Sequence, residues 1–149
     1  MIARVVALGQ RTAGDDGVGP AILDRVRALA PPGVELVELV EASGLIPLLG
    51  SPLPLVILDA VVTDDRSPGG VVELDAVDLP PRTRALSTHG IDLPQAIALG
   101  RTLAPGGTCT VRLVGVVIDP PDHPTAELSP PVAAAIPRAV TAVLALLRP

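Results

Sequence analysis

Three side chains have types that could together grip a divalent cation: Asp16, Asp59 and His89. Asp16 lies in Gly14-Asp15-Asp16-Gly17-Val18-Gly19-Pro20, just after the opening apolar run. Asp59 follows Leu55-Val56-Ile57-Leu58. His89 stands in Ser87-Thr88-His89-Gly90, ahead of an apolar-periodic stretch. In an open α/β sheet, residues just past the carboxyl ends of strands share one rim, and ligands bind there. Two carboxylates and one imidazole on such a rim would hold an ion and leave coordination positions open for substrate or water.

Each residue also has a plainer reading. One of Asp15 and Asp16 can cap the helix that follows, accepting backbone N–H groups at the positive end of its dipole. A single cap accounts for one aspartate of the pair, and the other is left for solvent or a ligand. Asp59 is harder to explain this way, because a charge directly after four apolar residues is costly unless it has a partner. A lone loop histidine such as His89 is most often exposed or satisfied by backbone. His123, in a Pro-rich loop, reads as exposed, Cys109 as a small buried apolar residue, and Asp64 and Asp65 as solvated turn residues. The segment Gly9-Gln10-Arg11-Thr12-Ala13-Gly14 has the glycine spacing of a phosphate loop, but Asp15-Asp16 replaces the basic-hydroxyl pair and would repel a phosphate.

The positioning elements follow from periodicity. Ile2 to Leu8 reads as a strand. Val18 to Leu29 has apolar residues at Val18, Ile22, Val26 and Leu29, a helical spacing stopped by Pro31-Pro32-Gly33. Val34 to Val40 reads as a second strand, Leu45 to Leu49 as a short helix, and Pro54 to Val62 as a central strand covered on both faces. Val71 to Leu74 is a further strand, and its link to the preceding one is too short for a parallel crossover. Ile91 to Leu103 reads as a helix and Thr110 to Ile118 as the last strand. Ser129 before Pro130-Pro131 is an N-cap signal for a final helix over Val132 to Leu147, which Pro137 should bend or restart. The expected fold class is α/β in three layers over residues 1–149 as a single domain: a mostly parallel, twisted sheet of about five strands with one antiparallel strand, and helices on both faces.

Composition narrows the function. Of the 149 residues 48% are hydrophobic and none is aromatic, so the core must be built from Leu, Val, Ile and Ala. All basic residues are Arg, and the formal net charge is −5, which does not favour nucleic acid. The longest uncharged stretch, Ala42 to Leu58, is broken by Pro47, Pro52 and Pro54, so no membrane span is expected. One cysteine allows no internal disulfide, and the expected location is cytoplasmic.

Taken in order, Leu8-Gly9, Asp15-Asp16-Gly17-Val18-Gly19, Leu58-Asp59-Ala60, His89 before a helix, Leu113-Val114-Gly115-Val116 and Leu128-Ser129-Pro130 resemble the hydrogenase maturation endopeptidases. That family trims the C-terminus of nickel–iron hydrogenase large subunits. The resemblance implies a nickel-dependent endopeptidase whose partner is a hydrogenase large-subunit precursor. The nickel would be supplied by that precursor, with other divalent ions able to substitute, and metal-contacting positions would fall on Asp16, Asp59 and His89. Two loops depart from the family pattern. The loop after Leu8 reads Gly9-Gln10-Arg11 where a Gly-x-Gly-Asn start is usual, and it is shorter. Val40-Glu41-Ala42-Ser43-Gly44 keeps only the last glycine of a Gly-Gly-Thr-x-Gly segment, which makes Gly44 the candidate substrate-binding residue.

Two rivals stand beside this reading. A non-catalytic relative could bind a metalloprotein precursor as a checkpoint or scaffold. A phospho-acceptor receiver domain shares the acidic pair and the strand-end aspartate, but requires a lysine that this chain lacks. An imidazole ligand must be neutral, so activity should fall as pH drops below about 6.5. A pH–rate profile that stays flat to about pH 5 would remove His89 from the ligand set.

Overall fold

The computed structural model describes residues 2–86, 90–106, 110–120 and 125–148. Its elements in chain order are β1 (Ala3–Leu8), a 3-10 segment (Gly14–Gly17), α1 (Val18–Leu29), β2 (Val34–Leu39), a second 3-10 segment (Ala42–Gly50), β3 (Leu55–Val62), β4 (Val71–Asp75), β5 (Arg84–Ala85), α2 (Leu93–Leu103), β6 (Val111–Val117) and α3 (Pro130–Leu146). The strands form one sheet in the order β2-β1-β3-β6-β4, with β5 pairing β3. The pairs β1/β2, β1/β3 and β3/β6 are parallel.

The sheet separates two apolar clusters. On one face Val56, Leu58 and Ala60 of β3 pack with α1 and α3. On the other, Leu55, Ile57 and Val61 pack with the second 3-10 segment and α2. Successive side chains along a strand point to opposite faces, so this alternation puts the Asp59 side chain on the α2 face. β3 is buried from Leu55 through Val61, as a central strand covered on both faces should be.

The expected three-layer arrangement is present, with several differences of detail. β4 is antiparallel as anticipated, but its partner is β6 and not the strand that precedes it. The 63–70 link arches past the end of β6, where Gly69 N–H donates to Val117 O and Val117 N–H donates to Gly70 O, each at 2.8 Å. A sixth strand, β5, was hidden in a Pro-containing loop and is antiparallel to β3. The short helix expected over Leu45 to Leu49 is present as part of a longer 3-10 segment, 42–50. α2 begins at Leu93 because Asp92 caps it: Asp92 Oδ1 accepts from Gln95 N–H (2.8 Å) and Gln95 Oε1 accepts from Asp92 N–H (3.2 Å). α3 starts at Pro130 and runs through Pro137 without a restart. The buried stripe Val132, Ala135, Ile136, Ala139, Val140 and Val143 outweighs the one backbone bond that Pro137 forgoes. Leu29, assigned by spacing to the inner face of α1, is 60% exposed, and Leu23 is buried in its place.

Candidate active-site rim

The first acidic site is built by a sharp turn. β1 ends at Leu8, and Gly9 takes a φ of +132°. A Cβ on Gly9 would collide with the backbone carbonyl of Asp16, so only glycine lets the 9–13 loop fold back over the 3-10 segment. Behind it, Gly19 sets the first turn of α1 directly against the carbonyls of Leu8 and Leu58, where a Cβ would lie 2.8 Å from Leu58 O. The 3-10 segment is thereby held against β3, just beyond the carboxyl end of β1.

The two adjacent carboxylates point to different partners, and neither caps its own helix. Asp15 reaches across the fold to the start of α3. Its Oδ1 accepts from Ser129 N–H at 2.7 Å, and its Oδ2 accepts from the Ser129 hydroxyl at 2.8 Å. Ser129 is the N-cap residue as expected, but its hydroxyl is turned to Asp15 and makes no capping bond to α3. Asp16 stays with the loop: its Oδ2 accepts from Gln10 N–H at 2.9 Å.

Asp59 is the one buried charged side chain among the described residues, with no exposed surface. Its position in the sheet is unusual. Through Leu58, β3 is paired to β1. From Val61 it is paired on the same side to β5, with Val61 opposite Ala85 and Val62 opposite Arg84, and Leu86 N–H donates to Ala60 O at 2.8 Å. Asp59 sits at the changeover, where a parallel neighbour leaves and an antiparallel one arrives. One of its oxygens, Oδ1, accepts from Ala60 N–H at 2.8 Å. On the other side of β3, Asp59 is in register with Gly115 of β6.

His89 lies outside the described residues, as do Ser87, Cys109 and His123. Among the described residues no three of His, Cys, Asp and Glu are grouped closely enough to hold a metal ion. Gly44 is half-buried beyond the carboxyl end of β2, with its N–H donating to Glu41 O at 3.1 Å and its Cα side against Leu39. Asp64 and Asp65 are exposed as expected, and Asp64 lies 3.5 Å from Arg82.

The sequence reading missed Arg11. Its guanidinium donates to both oxygens of Asp24 on α1 (2.7 and 2.9 Å) and to both oxygens of Glu38 on β2 (2.6 to 3.1 Å). These bonds, to Asp24 first and then Glu38, raise the guanidinium further above its ordinary value, and they hold the Asp24 carboxyl below the usual carboxylate range. A carboxyl pKa depressed on folding contributes stability above its unfolded value, and that contribution is lost only as pH falls through the folded one. Asp24 is therefore ionised at neutral pH. The two partners stand 13 and 27 residues from Arg11 in the chain, so no local pattern announces it.

The three-layer α/β fold, with Asp16 beyond the end of β1 and Asp59 buried in β3 where its pairing to β1 ends, is that of a small α/β domain with carboxylates beside its central strand. The family model described as HycI, hydrogenase maturation protease, matches residues 26–146. The chain belongs to the hydrogenase maturation protease family and is a peptide-bond hydrolase, an endopeptidase. It is similar to the hydrogenase maturating endopeptidase HybD from E. coli at 23% identity, covering 99% of this chain and 93% of that one, with a TM-score of 0.76. It is similar to the [NiFe] hydrogenase maturation protease HybD from Thermococcus kodakarensis at 25% identity, covering 99% and 100%, with a TM-score of 0.73. The HycI protease from Thermococcus kodakarensis KOD1 shares 19% identity over 97% of this chain and 92% of that one, with a TM-score of 0.70. No curated protein matches the chain in sequence. Among the described residues no helix is long and apolar enough to cross a membrane.

Proposed function

We propose that this endopeptidase removes the C-terminal extension of a nickel–iron hydrogenase large-subunit precursor, and that it recognises nickel already seated in that precursor through Asp16, Asp59 and His89. The observation that carries this reading is Asp59. A fully buried carboxylate at a strand changeover is costly to keep unless it serves a ligand or a partner. Its side chain faces the α2 layer, and β5 runs toward it: Arg84, Ala85 and Leu86 step down β3 from Val62 to Ala60. His89 is three residues further along the chain. Asp16 lies on a 3-10 segment packed against the same strand, β3.

The donor types suit the task. Two carboxylates and a neutral imidazole bind a borderline divalent ion and leave positions for thiolates of the substrate. Nickel bound there supplies Lewis acidity, toward either the scissile carbonyl or a water. The protein's own contribution is positional. The Gly9 turn and Gln10 N–H orient Asp16, the buried strand and Ala60 N–H orient Asp59, and Gly44, half-buried beyond β2, is the candidate contact for the substrate peptide.

Intact mass spectrometry of a nickel-loaded precursor incubated with the protein tests this. The expected result is loss of the C-terminal extension, with no cleavage of the nickel-free precursor. A stable complex with an intact C-terminus would assign the chain to scaffolding. Equal cleavage with and without nickel would remove the metal from recognition.

A further inference from the structure

We propose that Arg11 is a positioning residue for the Asp16 carboxylate, clamping the loop that carries its hydrogen-bond donor; this rests on the site reading above. The loop from Gly9 to Ala13 is short, and Gln10, Arg11 and Thr12 are exposed. Surface loops with few buried contacts open at little cost, yet the Gln10 N–H must stay in place to hold Asp16 Oδ2 at 2.9 Å. The next residue supplies the restraint. Arg11 Nη1 and Nη2 donate to Asp24 Oδ2 and Oδ1 at 2.7 and 2.9 Å, while Nε and Nη2 donate to Glu38 Oε2 and Oε1 at 2.8 and 2.6 Å.

The two carboxylates belong to different elements, the second turn of α1 and the edge strand β2. A planar guanidinium engaged by a carboxylate on each side cannot slide toward one without leaving the other, so the loop is fixed relative to both helix and sheet. An isolated exposed ion pair would contribute little; a doubly bidentate one is the geometry in which surface pairs matter. The loop's own backbone completes the link, since the carbonyls of Gln10 and Arg11 press against the position a Cβ on Gly17 would occupy, at 3.3 and 3.0 Å. Arg11, Gln10 N–H and Asp16 thus move as one unit. A displacement of about 1 Å at a reacting centre can cost about a hundredfold in rate.

The test uses the full chain with Arg11→Gln and, separately, Asp24→Asn and Glu38→Gln, each of which removes one arm. Hydrogen exchange at the Gln10 amide should speed up by about tenfold or more in Arg11→Gln while core amides such as Val6 are unchanged. Affinity for Ni²⁺ alone should weaken about tenfold, and kcat on nickel-loaded precursor should fall about 10- to 100-fold with KM unchanged, the range seen when supporting partners of metal ligands are removed. Arg11→Lys should fail to restore kcat, because an ammonium cannot engage two carboxylates bidentately. Unaltered Gln10 exchange and kcat in Arg11→Gln overturn the proposal. So does an effect on kcat that Arg11→Lys fully rescues, which would show that charge alone suffices. If the unaltered protein neither binds Ni²⁺ nor cleaves the precursor, the metal reading has failed, and Gln10 exchange still decides the clamp.

Discussion

Replacing Asp59 by asparagine is expected to abolish precursor processing, by at least about a hundredfold, without unfolding the protein. Removal of a group that merely supports a metal ligand costs about 10- to 100-fold, and loss of an anionic ligand itself should equal or exceed that. Asparagine keeps the volume and can keep a carbonyl oxygen toward Ala60 N–H, the bond seen at 2.8 Å. Cleavage, read by intact mass, should therefore disappear while a cooperative thermal transition is retained. A folded Asp59→Asn protein that still cleaves at near-normal rate would show that the buried carboxylate serves the fold alone.

The acidic pair at 15 and 16 should divide by function. Asp15→Ala removes two hydrogen bonds to a charged acceptor and leaves Ser129 N–H and hydroxyl without it. Such bonds contribute about 1.5–3 kcal/mol each when well formed. With Asp15 only half-buried, a total loss of about 2–4 kcal/mol is expected. For a chain of this size that lowers the midpoint by roughly 5–15 °C, and processing at low temperature should persist. Asp16→Asn should do the reverse, because an amide oxygen can still accept from Gln10 N–H. Its midpoint should change little and its processing should fall about a hundredfold or more, by the same ligand argument as for Asp59. Parallel melting and cleavage assays separate the two. If Asp15→Ala lost activity at full stability, the assignment of roles within the pair would be reversed.

The contrast between these neighbours shows where sequence reasoning stops. Asp15-Asp16-Gly17 marks a helix start and an acidic site whichever residue is chosen, because propensity and the helix dipole act locally. Which carboxylate reaches Ser129, 114 residues away, depends on how α3 docks beside α1, and no local rule carries that. The same holds for Arg11, whose partners come from two separate elements. The sixth strand escaped notice because two residues within a Pro-rich loop present no period to read, and Ala85 pairs only because β1 has ended and left β3 an open edge.

By itself the sequence determined the types of the longer elements, the α/β class, the central place of the apolar run around Asp59 and the family. Each of these follows from short-range periodicity, capping residues and the order of motifs along the chain. Tertiary structure alone decided that β6 inserts between β3 and β4, that Asp59 is fully buried at the point where β3 exchanges β1 for β5, and that Arg11 ties the Asp16 loop to α1 and β2. These depend on contacts between residues far apart in the chain. Such contacts are selected by how two faces of one sheet can be covered at once, a property of the whole packed assembly and not of any segment.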